Sequence, residues 1–297
     1  MRVHHMLPIV FILMFSSAAY GFDYVEMPPL GGKTSPKIQD CRPSDRLTVP
    51  MRASGPHIVA LFGNGYGLET APDSLFGKQG LNIELVRRNS IVDQLKEYMA
   101  CTMPIMTGTQ GMLNMVADIT QADPRTRMVA IYQHAWSNGA DVLVVRDRIK
   151  TPEDLSGARI AVQAYGPHLE YMTRVLSDAR RSVREKGGAW QSPQVLYTKD
   201  LLGFESHTPG RAFLEESGLD AAFVVKPDAM ALTSGGATGT GAEGSVRGAH
   251  ILLSTKSASR LLSEVYVVRK DFFEENRETL QEFVDALVEA EEKAREN

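Results

Sequence analysis

Reactive chemistry in this sequence would have to come from its histidines, its two cysteines, its serines or one glycine-rich hexapeptide. Beyond an N-terminal pair, His57, His134, His168, His207 and His250 stand singly, with no pair at helical spacing and no cysteine cluster, so the sequence predicts no metal site. No serine lies in a Gly-x-Ser-x-Gly elbow between strand and helix, which removes the simplest route to an activated nucleophile. Gly239-Thr240-Gly241-Ala242-Glu243-Gly244 has the glycine spacing of a dinucleotide-binding turn, but a loop precedes it and no long helix follows. No Gly-Lys-Ser or Gly-Lys-Thr follows it either, so neither a catalytic residue nor a cofactor is expected.

What the sequence does offer is binding chemistry. Polar and aromatic residues recur at predicted strand ends and turns: Asn64, Thr107, Thr109, Gln110, Trp136, Ser137, Gln163, Tyr165, Gly166, His168, Lys226 and Asp228. Ends of parallel strands are where open α/β folds hold ligands, and two such rims facing each other make a cleft. The central example is Ala158 to Leu176, read as strand, polar turn and helix. Pro167 suits the first helical position and Gly166 lets the chain approach a ligand closely, so this helix would begin with bare N–H groups. Gly108-Thr109-Gln110 opens another helix in the same way. Two positive helix ends would favour an anionic or strongly polar ligand; Lys226 would add attraction and Asp228 could take an amino group, so a zwitterion also fits. Tyr165 and Trp136 would supply apolar walls with polar handles. The competing reading is an ordinary buried turn in which Tyr165 packs and His168 is merely solvated.

The elements that must position these residues alternate. Strands are predicted at 57–62, 81–86, 105–106, 127–132, 140–145, 158–162, 195–197, 221–225 and 251–254. Helices are predicted at 74–78, 91–99, 112–119, 168–180, near Ala212, and at 271–276 and 278–295. Such alternation is the signature of parallel sheets covered by helices on both faces. Thr151 caps a helical turn beginning at Pro152. The last helix carries Leu280, Phe283, Leu287 and Ala290 on one stripe and should dock on the first unit. The segments 141–147 and 264–270 resemble each other and are read as crossover strands, one leaving the first unit and one returning. From Phe22 to Pro56, repeated Pro and Gly with little periodicity predict an extended lead-in without a core.

The 297 residues are 43% hydrophobic and 23% charged with a formal net charge of -4, which leaves room for two domains and offers no basic face to a nucleic acid. Met1 to Gly21 joins Arg2, the apolar run Met6 to Phe15 and small residues ending in Ala19-Tyr20-Gly21. This is the pattern of a secretory signal peptide cleaved on export, and the run falls short of the roughly 20 apolar residues of a membrane span. An uncleaved anchor is the rival reading. Export permits a disulfide, but Cys41 in a Pro-rich lead-in and Cys101 at the end of a predicted helix make a mutual bond the less expected outcome. Cys41 also lies too far beyond the apolar run to carry lipid.

From about Pro56 onward, several blocks carry a family resemblance. Ser74-Leu75-Phe76-Gly77-Lys78-Gln79-Gly80-Leu81, Gly108-Thr109-Gln110-Gly111, Asp141-Val142-Leu143-Val144-Val145, Ile149-Lys150-Thr151-Pro152-Glu153-Asp154-Leu155-Ser156-Gly157 and Gly218-Leu219-Asp220-Ala221-Ala222-Phe223 resemble the type II periplasmic solute-binding proteins of ABC importers. The branch is that of sulfonate, taurine, nitrate and thiamine-precursor binding proteins, and the Thr-Pro-Glu-Asp-Leu-Ser-Gly block is the most specific match. Gln163-Ala164-Tyr165-Gly166-Pro167-His168 and the stretch Pro227 to Gly236 are similar to a group in which an OmpA-like domain can follow; this chain reaches Asn297 in a charged helix without one. Tyr165-Gly166-Pro167 replaces the branch's usual serine-containing turn, a departure from a sulfonate or nitrate site.

The resemblance implies a two-lobed α/β fold, each lobe a mostly parallel sheet flanked by helices, with two crossover strands as the hinge. It divides the chain into a lead-in at 22–55, a first lobe at 56–146 plus 264–297, and an inserted second lobe at 147–263. It further implies a monomeric receptor in the periplasm that captures a small polar ligand, anionic or zwitterionic, between the lobes and delivers it to an ABC permease. The alternatives are an enzyme on the same fold, of thiamine-precursor or menaquinone-pathway type, and an envelope-associated binding protein without a transport role.

Overall fold

The computed structural model describes residues 22–296, apart from 33–35, 43, 54, 205 and 259. The signal-peptide reading of Met1 to Gly21 lies outside the described residues. The first lobe is built from β1 (Leu47–Met51), α1 (Ile58–Gly63), α2 (Leu75–Lys78), β2 (Ile83–Arg87), α3 (Ile91–Met99), β3 (Ile105–Thr109), α4 (Gln110–Thr120) and β4 (Met128–Trp136). The second follows with β5 (Asp141–Val145), β6 (Arg159–Gln163), α5 (His168–Glu185), β7 (Gln194–Thr198), α6 (Pro209–Glu215), β8 (Ala221–Val225), α7 (Lys226–Leu232) and β9 (His250–Ser254). The chain returns to the first lobe as β10 (Ser263–Arg269), α8 (Lys270–Glu275) and α9 (Arg277–Glu296).

The sheets are mixed rather than mostly parallel. In the second lobe the order is β7-β6-β8-β5-β9, with β6 parallel to both β7 and β8 but β5 antiparallel to β8 and β9. In the first lobe β1 and β2 form a parallel pair, while β10 runs antiparallel between β3 and β4. The strands that run against their neighbours are β5 and β10, the ones on which the chain enters each lobe. Each belongs to a single sheet, β5 to that of the second lobe and β10 to that of the first. The crossings are the short segments 137–140 and 255–262, and they lie side by side. Ser137 N–H donates to the Leu262 carbonyl at 2.8 Å, and Ser137 Oγ lies 2.7 Å from Thr255 Oγ1.

Local chemistry explains most boundaries. Ser90, Thr109 and Thr208 accept the orphan N–H groups of Asp93, Met112 and Arg211 at the starts of α3, α4 and α6. The helical turn expected to open at Thr151 and Pro152 is present, with Asp154 Oδ2 accepting the Thr151 N–H at 2.9 Å. The stripe on α9 buries Leu280, Phe283, Leu287 and Ala290, and Phe283 meets Phe76 of α2 edge-on at 5.8 Å. Full burial of one such ring stabilises the lobe by about 1.5–3 kcal/mol.

Three expectations fail. The segment 57–62 is helical, because its buried positions His57, Ala60 and Gly63 recur every third residue; an apolar run this short reads equally as a strand. The lead-in does carry core, since β1 lies inside it with Leu47 and Val49 buried, its alternation disguised by Pro50. Cys41 and Cys101 are bonded, which corrects the expectation that they stay apart. Beside them the buried Arg269 guanidinium donates to the carbonyls of Gln39, Tyr98 and Met99 at 3.0, 3.1 and 2.9 Å. Earlier still, Phe22 and Tyr24 pack on the second lobe, Val25 N–H bonds the Tyr197 carbonyl of β7 at 2.8 Å, and Leu30 enters the core of the first lobe. The lead-in is a strap from one lobe to the other. Among the described residues no helix is long and apolar enough to cross a membrane.

Candidate functional site

A cavity of about 480 Å³ lies between the lobes at the crossing segments. Its first-lobe wall includes Arg52, Pro56, Thr109, Ala135 and Trp136; its second-lobe wall includes Asp141, Pro167, Leu201, Leu202, Val225, Lys226, Pro227 and Asp228. Strand geometry produces this convergence: Trp136 ends β4, Asp141 begins β5, Val225 ends β8, and Glu264 lies near the start of β10. A larger, more open depression of about 820 Å³ sits on the second lobe between α5 and the 255–262 segment. It touches no residue of the first lobe, so the cavity between the lobes is the site that a closing motion would enclose.

The cavity surface is mostly apolar, with a few isolated charges. Trp136 leaves 43% of its surface open there, unusual for so large a ring. Lys226 is exposed and has no ion-pair partner among the described residues. Asp228 is buried, its Oδ2 accepting the Gly203 N–H at 3.2 Å, and burial pushes its carboxyl above the ordinary carboxylate range. Asp141 is bound more tightly: its Oδ1 lies 2.6 Å from His168 Nε2 and its Oδ2 accepts the Ser137 hydroxyl. Burial alone would raise the Asp141 carboxyl, but His168 and Ser137 more than reverse this and hold it below the usual range. Ser137 bonds the carboxylate and not the imidazole, so serine and histidine here do not form a nucleophile and base.

A second polar group stands on the first-lobe wall. Arg52 Nη1 donates to Glu264 Oε1 at 2.8 Å, and His57 Nδ1 lies 3.3 Å from the Tyr266 hydroxyl. Burial pushes the Glu264 carboxyl up, but the Arg52 charge and His57 bring it down to about 2. Burial and the neighbouring His57 lower His134 to about 3.

Of the residues expected to bind ligand, the cavity gathers Thr109, Trp136, Ser137, Lys226 and Asp228. His168 stands behind it, fully buried and holding Asp141. Asn64 is spent inside its own loop, donating to Gly67 O at 3.0 Å and accepting from Thr70 at 2.7 Å. Thr107 is buried in β3 and lies 3.4 Å from His134 Nε2. Gln110 is exposed on α4 and lines no cavity described here. Gln163 and Tyr165 line a small hollow walled by the strap's Val25 and Glu26, and Gln163 also lines one that adjoins the cavity at Arg52, Ala53, Leu201 and Leu202. Tyr165 has a φ of 53° and its hydroxyl donates to the Pro28 carbonyl at 2.5 Å. Gly166 is required there, since a Cβ would meet Gln163 Oε1 at 2.4 Å.

The expected pair of bare helix ends is also altered. At the start of α4, Met112 N–H is taken by Thr109 and Gly111 N–H by Glu170 Oε2 of α5 at 3.0 Å. A carboxylate of the second lobe thus occupies the positive helix end where an anionic ligand was expected. Sequence reasoning missed Arg52, Asp141 and Glu264 on the walls: Arg52 lay in the lead-in, and the two acids looked like strand starts. No local motif could have found them, because the fold alone brings them together.

No protein-family model matches the chain and no curated protein matches it. Solved structures do. The aliphatic sulphonate binding protein SsuA from Escherichia coli superposes with a TM-score of 0.58 at 18% identity, covering 86% of this chain and 71% of that one. The chain has the periplasmic-binding-protein fold. The alkanesulfonate-binding SsuA from Xanthomonas axonopodis pv. citri, bound to MOPS, has this fold with a TM-score of 0.55 at 16% identity, over 84% and 74% of the two chains. The methionine binding protein MetQ has it with a TM-score of 0.51 at 14% identity, over 84% and 94%. Within this fold the cavity at Trp136 is the space between the lobes.

Proposed function

We propose that the chain is an extracytoplasmic solute-binding receptor that closes its lobes on a small zwitterion with an apolar body and offers it to an ABC permease. The observation that carries this reading is the interlobe cavity, an apolar surface with an unpaired Lys226 and a buried Asp228 on one wall and Trp136 on the other. Lys226 suits a carboxylate or sulfonate, Asp228 an amino group, and Trp136 with Leu201, Leu202 and Val225 the apolar body. Glu170 at the start of α4 disfavours a simple inorganic anion held between two helix ends. Similarity to receptors whose bound solutes are sulfonates and methionine supports the same class of task.

The lobe boundaries follow the sheets, with the second lobe running from Asp141 to Ser254 and the hinge in 137–140 and 255–262. The receptor acts as a monomer in the periplasm after removal of residues 1–21, and it makes and breaks no bond. Native mass spectrometry of the protein recovered from the cell envelope, followed by titration with methionine and an aliphatic sulfonate, tests this. A retained small molecule, or saturable binding of one probe that quenches Trp136, is the expected result. Turnover of the bound molecule would replace the reading with an enzyme.

A further inference from the structure

We propose that His57, His134 and Glu264 form a binding site for a divalent transition metal ion of the zinc type, set in the first-lobe wall of the interlobe cavity. The three residues are far apart in sequence, yet α1's entry, β4 and β10 bring one ligand atom of each within 4.8 Å of the others. Two imidazoles and a carboxylate are a donor set that suits zinc and its neighbours.

The spacing of the inner pair is the telling detail. His57 Nε2 and Glu264 Oε2 are 3.4 Å apart, both buried, and neither has a hydrogen-bond partner. Two ligands about 2.0–2.2 Å from a tetrahedral ion stand about 3.3–3.6 Å apart, so this pair already has the bite of a metal site. The two atoms face only each other, with no hydrogen bond formed, and an ion between them would satisfy both.

The remaining atoms of both residues are engaged in the way that fixes metal ligands. Tyr266 holds His57 Nδ1 at 3.3 Å, which aims Nε2, and Arg52 holds Glu264 Oε1 at 2.8 Å, which leaves Oε2 free. Arg52 meets the outer oxygen only, and its charge is already balanced by that carboxylate. The His134 ring lies edge-on to His57 and stacks on Tyr266, and its Nε2 is 3.4 Å from the Thr107 hydroxyl; with the ligand atoms within 4.8 Å of one another, closing the set takes a contraction of up to about 1.5 Å and a turn of His134 away from Thr107. Arg52 and Glu264 also line the cavity, so the ion's further positions would open towards it, to water or to a bound solute. The proposal does not depend on the receptor reading.

The test uses tag-free, EDTA-treated protein titrated with zinc chloride, the bound metal being counted by elemental analysis after gel filtration. The expected result is one ion per chain, a raised melting temperature, and an affinity lowered about tenfold or more in both His134→Phe and Glu264→Gln. His134→Phe keeps the stacked ring, so it decides the matter if Glu264→Gln fails to fold. His250→Ala, a histidine outside the cluster, should bind as wild type does. Substoichiometric zinc after gel filtration, or unchanged affinity in folded His134→Phe, would overturn the proposal.

Discussion

The two sides of the interlobe space are made of the same material and differ in what crosses them. On one side the turns at Trp136, Ser137, Lys226 and Asp228 border a cavity of about 480 Å³. On the other, Gln163 and Tyr165 border a small hollow of about 240 Å³ that the lead-in strap walls with Val25 and Glu26, Pro28 being bonded to Tyr165. A second hollow of about 200 Å³ at Gln163 adjoins the cavity through Arg52, Ala53, Leu201 and Leu202. A polar turn at a strand end is thus a ligand site or a docking point for the chain itself, according to which other segment covers it. The strap and the Glu170 to Gly111 contact also tie the lobes together away from the crossing segments, so any opening about 137–140 and 255–262 must flex or release them.

The largest expected effect comes from the cavity side. Asp141→Asn removes the charge that holds His168 and Ser137, and breaking a buried pair of this kind costs about 3–5 kcal/mol, read as a lower midpoint in urea. The pH dependence follows from the depressed Asp141 carboxyl. A group whose folded value lies below its unfolded value of about 4 stabilises the protein above that value and loses the contribution as pH falls through the folded one. The gap between wild type and Asp141→Asn should therefore be widest near neutrality and narrow as pH falls below about 4. A gap that is constant with pH would mean that Asp141 acts through packing alone.

At the end of β10 away from the cavity, beside Arg269, the disulfide comes next. Cys41 and Cys101 close a separation of 60 residues, and replacing both with Ser should cost about 2–4 kcal/mol. Reductant should bring wild type down to the variant, while the variant itself stays insensitive. A smaller change is expected from Tyr165→Phe, which deletes only the bond to Pro28: about 0.5–1.5 kcal/mol of stability, with increased proteolysis of the strap. Unchanged proteolysis would mean that Phe22, Tyr24, Val25 and Leu30 hold the strap without it.

The same contrast marks what the sequence could and could not reveal. Elements with strong local signals were legible: β8 at Ala221–Val225 and α3 at Ile91–Met99 match the predicted bounds, and the helical turn opening at Thr151 and Pro152 was readable. A smaller part of the cavity was legible too, because Trp136, Ser137, Lys226 and Asp228 follow or precede recognisable strands. What failed were features set by distant contacts. The lead-in carries no periodicity to betray that it spans both lobes, so Tyr165 looked open when Pro28 covers it. The helical run 57–62 was too short for its period to be distinguished. His57, His134 and Glu264 meet only after two strands and a helix are in place, and no spacing along the chain records that.

The central claim, that solute binds at Trp136 between the lobes and not beneath the strap at Tyr165, is tested most directly by one comparison. The small molecule extracted from envelope-purified protein is titrated by calorimetry into wild type, Trp136→Ala and Tyr165→Phe. Loss of a well-packed aromatic contact should weaken binding to Trp136→Ala by about 1–3 kcal/mol, roughly five- to 150-fold, while Tyr165→Phe binds as wild type does. Undiminished binding by Trp136→Ala, together with a loss in Tyr165→Phe, would move the site beneath the strap and contradict the account.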